Sequence, residues 1–192
     1  MMRRTRWPRG MVIAVDPRSR LLHLLYDHSA LRLENTRGLP PLISEPPIIA
    51  ASEPVHPSGK SWQDEWEQSW DATRQWYRTR TRDTPPESPP RHRIRDDAGR
   101  EVLDDDERSR WFDEVAPVDL TAARTSPEHV CLDALVPAWR TGLETILVLP
   151  YRGEHAERLS LGTLLVSPAT RRSPSAFRKA LTAPPPTGAL RR

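Results

Sequence analysis

The chain has 192 residues, of which 36% are hydrophobic, with seven Trp, 21 Pro and one Cys, and its formal net charge is +3. This is long enough for one core of ordinary size and too rich in Trp for wholesale disorder, while the prolines call for substantial loop and tail. The lone Cys131 excludes an internal disulfide and suits a reducing cytoplasm, and no apolar run reaches the roughly 18 to 20 residues that span a bilayer.

Residues 1–10 read as a flexible basic arm, with Arg3, Arg4, Arg6 and Arg9 around Trp7. The apolar run at 11–15 is too short for the roughly 7 to 15 residue core of a secretion signal. Residues 11–16, 21–27 and 31–35 are expected to form three antiparallel strands, with a turn at PRSR. Leu21, Leu25, His28 and Arg32 also fit a helical period, with Asp16 and Pro17 as cap and first residue. From 38 to 60 the chain is Pro-rich, and only residues 48–51 suit a short strand.

The firmest element lies at residues 61–82. At 100° per residue, Trp62, Trp66, Trp70, Trp76 and Tyr77 share an arc of roughly 120°, while charged and amide side chains fill the opposite side. A strand would mix Trp with charge on both faces. Ser61 and Asp64 have the form of a capping box, acids crowd the first half, arginines the second, and Pro85 stops the helix. Five aromatics offer about 750 to 1250 Å² of apolar surface, more than a monomer leaves open. Either the protein's own core covers this stripe or a partner protein covers part of it.

Residues 83–91, DTPPESPPR, are a mobile linker by composition. Residues 93–102 read as a hairpin or wide turn, and 104–115 as a short helix burying Trp111 and Phe112 behind an acidic first turn. A helix starts at Ser126-Pro127 and runs to about 135 with Val130, Leu132 and Leu135 inward, followed by a turn from Pro137 to Gly142. Residues 144–151 and 159–167 are the best strands, expected to pair as a hairpin through RGEHAER, with both faces covered and a central place in the sheet. A last helix starts at Ser173-Pro174 and ends near 181, before a flexible basic tail at 183–192.

The expected fold is α+β: a mainly antiparallel sheet with the Trp-rich helix packed on one face, forming a single domain over residues 11–182. Acids dominate residues 96–119 and none follows Glu157. Docking of this acidic block on the basic tail, or on a partner, is set against two solvated faces. Ser58-Gly59-Lys60-Ser61 resembles the end of a phosphate-binding loop, but Pro54 stands where that loop needs its first Gly and Pro57 removes an amide from the cradle. His155 alone stands in a loop where active-site residues often sit. No metal or nucleophile motif occurs, and no cofactor is expected.

The functional expectation is a non-catalytic cytoplasmic protein-interaction module, of adaptor, immunity or regulatory type, with Trp62, Trp66, Trp70, Trp76 and Tyr77 as candidate partner contacts. The alternative is nucleic-acid binding through Arg3, Arg4, Arg6, Arg171, Arg172, Arg178 and Lys179. A degenerate phosphate-loop nucleotide binder using Gly59, Lys60 and Ser61 comes third. No membrane association is expected.

Overall fold

A computed structural model describes residues 6–48, 61–80, 104–116 and 125–185. Arg3, Arg4, Gly59, Lys60, the segment 83–91, the turn expected at 93–102 and the tail beyond 185 lie outside the described residues.

The chain folds as α+β, with seven helices and a four-stranded mixed sheet among the described residues. The strands are β1 (Ala14–Asp16), β2 (Thr145–Val148), β3 (Ala156–Arg158) and β4 (Thr163–Val166), in the order β1-β2-β4-β3. β1 runs parallel to β2 and β2 parallel to β4; only β3 is antiparallel to its neighbour. The sheet is therefore mostly parallel, which corrects the antiparallel expectation.

The expected hairpin of β2 with β4 fails for an identifiable reason. RGEHAER contains β3, which lies beyond β4, so the chain leaves β2, crosses the end of β4, returns as β3 and only then turns into β4. The true hairpin is β3–β4, with its turn held by the Leu159 amide on the Thr163 carbonyl at 3.0 Å. The crossing loop is stitched down by Ser167. Its hydroxyl donates to the Gly153 carbonyl at 2.7 Å and accepts the His155 amide at 3.1 Å, and Thr170 Oγ1 takes the same amide at 2.8 Å. Parallel central strands buried on both faces carry continuous apolar runs, as TILV and TLLV do.

The strands expected over 21–35 are instead helix α1 (Arg20–Ala30), followed by loop. Leu21, Leu22, Leu24, Leu25, Tyr26, Asp27 and Ala30 are all buried, so the helix has almost no polar side and the helical period that Leu21, Leu25 and His28 offered is weak. Its end is hidden. The Leu33 amide bonds the His28 carbonyl and the Arg32 amide that of Ser29, a Schellman turn in which Arg32 takes the left-handed position at φ 52°. A non-Gly residue there costs on the order of 1 to 2 kcal/mol and leaves no glycine to read.

Helix α2 (Trp62–Thr79) covers the expected stripe, and its Ser61 cap is closed both ways: the hydroxyl accepts the Asp64 amide at 3.1 Å and donates to the Asp64 carboxylate at 2.8 Å. Helix α3 (Asp105–Val115) is capped by Asp104 and buries Trp111 and Phe112. Next come α4 (Pro127–Val130) and α5 (Leu132–Arg140), broken at Cys131. Val130, expected inward, is 48% exposed. Pro137, expected to open a new turn, lies inside α5, where it and Asp133, whose carbonyl loses its amide, are both exposed. Helices α6 (Pro168–Arg172) and α7 (Pro174–Thr182) complete the described chain.

Alternation along β2 and β4 divides the interior. Leu147, Leu149 and Leu165 face α1, α2 and α3, whereas Ile146, Val148, Leu164 and Val166 face α5 and α7. Helices thus cover both faces of the sheet, and the carboxyl end of β1 opens between α1 and α2.

Candidate functional site

In open sheets with parallel strands, ligands gather outside the carboxyl ends of the strands, where loops lead into helices. Here β1 ends at Asp16, and Pro17-Arg18-Ser19 lead directly into α1. A cleft of about 400 Å³ lies at this turn, bounded by Asp16, Ser19, Arg20 and His23 on one side and by Trp76, Tyr77 and Arg80 at the end of α2 on the other.

Each side chain is held in a distinct way. Asp16 accepts the Arg18 amide at 3.0 Å, and burial pushes its carboxyl above the ordinary range against that hydrogen bond. Arg18 reaches outward to an ion pair with Asp113 of α3. Ser19 occupies the cap position of α1 in extended conformation, yet makes no side-chain cap bond. Its hydroxyl is buried, with the residue 2% exposed, and has no hydrogen-bond partner. The phenol of Tyr77, across the cleft, has its pKa raised by burial and by nearby Asp16, with the Arg20 backbone opposing. The Tyr77 carbonyl in turn accepts the hydroxyls of Ser160 at 3.1 Å and Thr163 at 3.3 Å, which fixes the end of α2 to the β3–β4 hairpin. Trp76 is half-buried, meets Tyr77 edge-on at 4.8 Å and carries the Arg80 guanidinium over its ring at 5.0 Å.

His23, one turn beyond Ser19, packs edge-on against Phe112 at 4.6 Å. Burial, then the positive charges of Arg20 and Arg108, lower its pKa to about 4, with Asp105 opposing. Because the Ser19 hydroxyl makes no hydrogen bond, Ser19 and His23 do not form a nucleophile and base pair. With Arg18 turned outward to Asp113, the cleft sets Arg20, Arg80 and a helix amino end against the single carboxyl of Asp16.

Depressed histidines make stability depend on pH. His28 and His155 are also lowered by burial; His28 meets the Glu34 carbonyl and Glu45, and His155 meets Glu157 and Arg74. The unfolded chain takes up protons near pH 6.5 that the native state refuses until about pH 4 at His23, so stability should fall as pH drops through that window. Urea midpoints at pH 7, 5.5 and 4.5 measure the slope, and His23→Gln should flatten it. An unchanged slope would exclude His23 as its source.

Two smaller clefts flank α3 and the loop after α1. One, of about 260 Å³, is lined by His28, Arg32 and Leu39 among others; the other, of about 300 Å³, has Glu45, Glu107 and Glu114 around Trp111.

The residues singled out from sequence lie elsewhere. Trp62, Trp66, Trp70 and Tyr77 are buried in the core shared with α1 and the sheet, and only Trp76 of that set is half-buried. Ser61 is occupied as a cap. Arg171 pairs with Glu128, Arg178 with Asp133 and Arg172 with the Pro168 carbonyl, whereas Arg6 and Lys179 are exposed. Within the acidic block, Asp113 pairs with Arg18 and Asp105 with Arg108. His155 is tied by its amide and packs edge-on against Tyr151 at 5.0 Å. Cys131 is buried, with its thiol pKa raised by burial. Among the described residues no three metal-ligating side chains cluster, and no helix is long and apolar enough to cross a membrane. Ser19, Arg20 and His23 escaped the sequence reading; the available signal was an Asp ending an apolar strand just before a Pro-Arg-Ser helix start.

No protein-family model, curated protein or solved structure matches the chain.

Proposed function

We propose that the chain is a non-catalytic module that binds another protein in the cytoplasm. One observation carries this reading. Trp7 and Val12, 36% and 74% exposed, precede edge strand β1, and Val130, 48% exposed, follows His129 in α4. The Trp7 indole donates to the Met11 carbonyl at 2.9 Å, beside Val12, and its ring stacks on His129, beside Val130, at 6.2 Å. Exposed apolar side chains beside a sheet edge suit a protein contact, in which a Trp buried on binding supplies much of the energy.

Val12→Asp with Val130→Asp should leave stability within about 0.5 kcal/mol, as exposed positions do, while abolishing stoichiometric co-purification of the partner from its native extract. Capture that survives both substitutions removes the reading. The second reading, nucleic-acid binding, draws on Arg6 and Arg9 on either side of the exposed Trp7 ring. It gains if the captured species is nucleic acid released between about 50 and 200 mM salt, since phosphate contacts weaken steeply with salt.

A further inference from the structure

We infer that the cleft at the amino end of α1 is a binding site for a tetrahedral oxyanion, the phosphate group of a small ligand, held by the Ser19 hydroxyl, the first turn of α1 and the guanidinium groups of Arg20 and Arg80. This inference does not rest on the partner-protein reading, which concerns the start of β1 rather than its end.

Three independent features meet here. The first is the charge of the helix start. Helix amino ends favour acids, which complement the partial positive charge of the unpaired amides. The first turn of α1 has none and carries Arg20 instead, with Arg18 just before it. Arg18 is turned outward to Asp113, and Arg20 adds its positive charge to the helix end, a setting that favours an anion in the cleft.

The second feature is Ser19. A serine at a cap position ordinarily accepts an amide from the first turn, as Ser61, Ser126, Ser167 and Ser173 all do in this chain. Ser19 does not, because the Leu22 amide, which a cap hydroxyl would take, bonds the Ser19 carbonyl at 2.9 Å instead. Its hydroxyl is left buried and without a partner in a residue that lines the cleft, which is costly for a polar group. An oxyanion entering the cleft would accept that hydrogen.

The third feature is the wall contributed by α2. Tyr77 lines the cleft with its phenol kept protonated by burial, and Arg80 lies over the Trp76 ring beside it. Donors from two helices and the turn between β1 and α1 suit three or four oxygens better than the two of a carboxylate. Asp16 opposes the anion, but its carboxyl already holds the Arg18 amide, and in this buried setting its charge is disfavoured.

The test is a titration of the full-length protein with inorganic phosphate against chloride at constant ionic strength, followed by ¹⁵N–¹H correlation spectra. Saturable one-to-one shifts should concentrate at residues 18–22 and 76–80, and acetate should bind more weakly. Ser19→Ala should leave the melting temperature unchanged or raise it, since the hydroxyl caps nothing and is buried without a partner, and should weaken phosphate binding about tenfold, the value of one hydrogen bond to a charged group. Arg80→Gln should weaken it comparably. The assignment is overturned if phosphate produces no shifts beyond chloride at 10 mM, a concentration on the order of ten times a ~1 mM dissociation constant. It is equally overturned if both variants bind like wild type, if acetate binds as tightly as phosphate, or if Ser19→Ala destabilises the protein as loss of a working cap would.

Discussion

Trp66→Ala should lower stability by about 3 to 5 kcal/mol, the range for truncating a buried Trp. Trp66 is 0% exposed, stacks on Trp70 at 5.3 Å, lies tilted against His28 at 4.6 Å, and donates its indole hydrogen to the Leu24 carbonyl at 2.7 Å. Truncation leaves a cavity between α1 and α2 and removes the donor to a buried carbonyl, and each effect adds to the other. Urea unfolding followed by far-ultraviolet circular dichroism should show a lower midpoint with an unchanged slope. Gln68→Ala, on the exposed side of the same helix, should cost no more than about 0.5 kcal/mol. A loss below about 1 kcal/mol at Trp66 would contradict its place in the core.

The second large effect is expected at Arg171. Its Nε and Nη2 donate to both oxygens of Glu128 at 2.7 and 2.9 Å, joining α6 to α4. Glu128 is only 5% exposed. Arg171→Ala strands that carboxylate in the interior and should cost about 3 to 5 kcal/mol, whereas replacing both partners by apolar residues of similar volume should cost far less. A double-mutant cycle with Glu128→Leu and Arg171→Met measures the difference; equal losses for the single Arg171→Ala and the double apolar variant would show that packing, not charge, is at stake. The neighbouring Arg178–Asp133 pair, at 3.0 Å but with side chains 40% and 57% exposed, should contribute no more than about 1 kcal/mol.

Arg171, Arg172, Arg178 and Lys179 read in sequence as part of one basic surface. The structure separates them, because a sequence shows charge but not which acid lies across from it. Arg171 and Arg178 are spent on acids of α4 and α5 that lie more than 40 positions away. The aromatic stripe of α2 was open to two readings in the sequence, and the contacts it makes with α1 and the sheet place four of its five rings in the core.

What the sequence determined by itself are the elements whose signals are local and one-sided. Helix α2 has an apolar stripe against a polar face and a two-way cap at Ser61; α3 has Asp104 at its start; α7 opens on Ser-Pro; and α5 ends in a Schellman turn with Gly142 at φ 113°. The same turn closes α1, but with Arg32 in place of glycine, and there nothing local announces it. Residues 20–30 suited both strand and helix in the sequence, and tertiary structure decided for helix, because a segment buried on nearly every side keeps only a weak stripe. It also decided that β2 and β4 run parallel: a strand apolar on both faces carries the mark of its depth in the sheet and none of its direction. Direction was set by the short polar AER strand, which gains an edge beside β4 only if the chain first passes over it. The cleft at Asp16 and Ser19 follows from the same cause, since it exists only where the carboxyl end of β1 and the end of α2, some 60 residues apart in the chain, are brought together by the packing of α2 on α1.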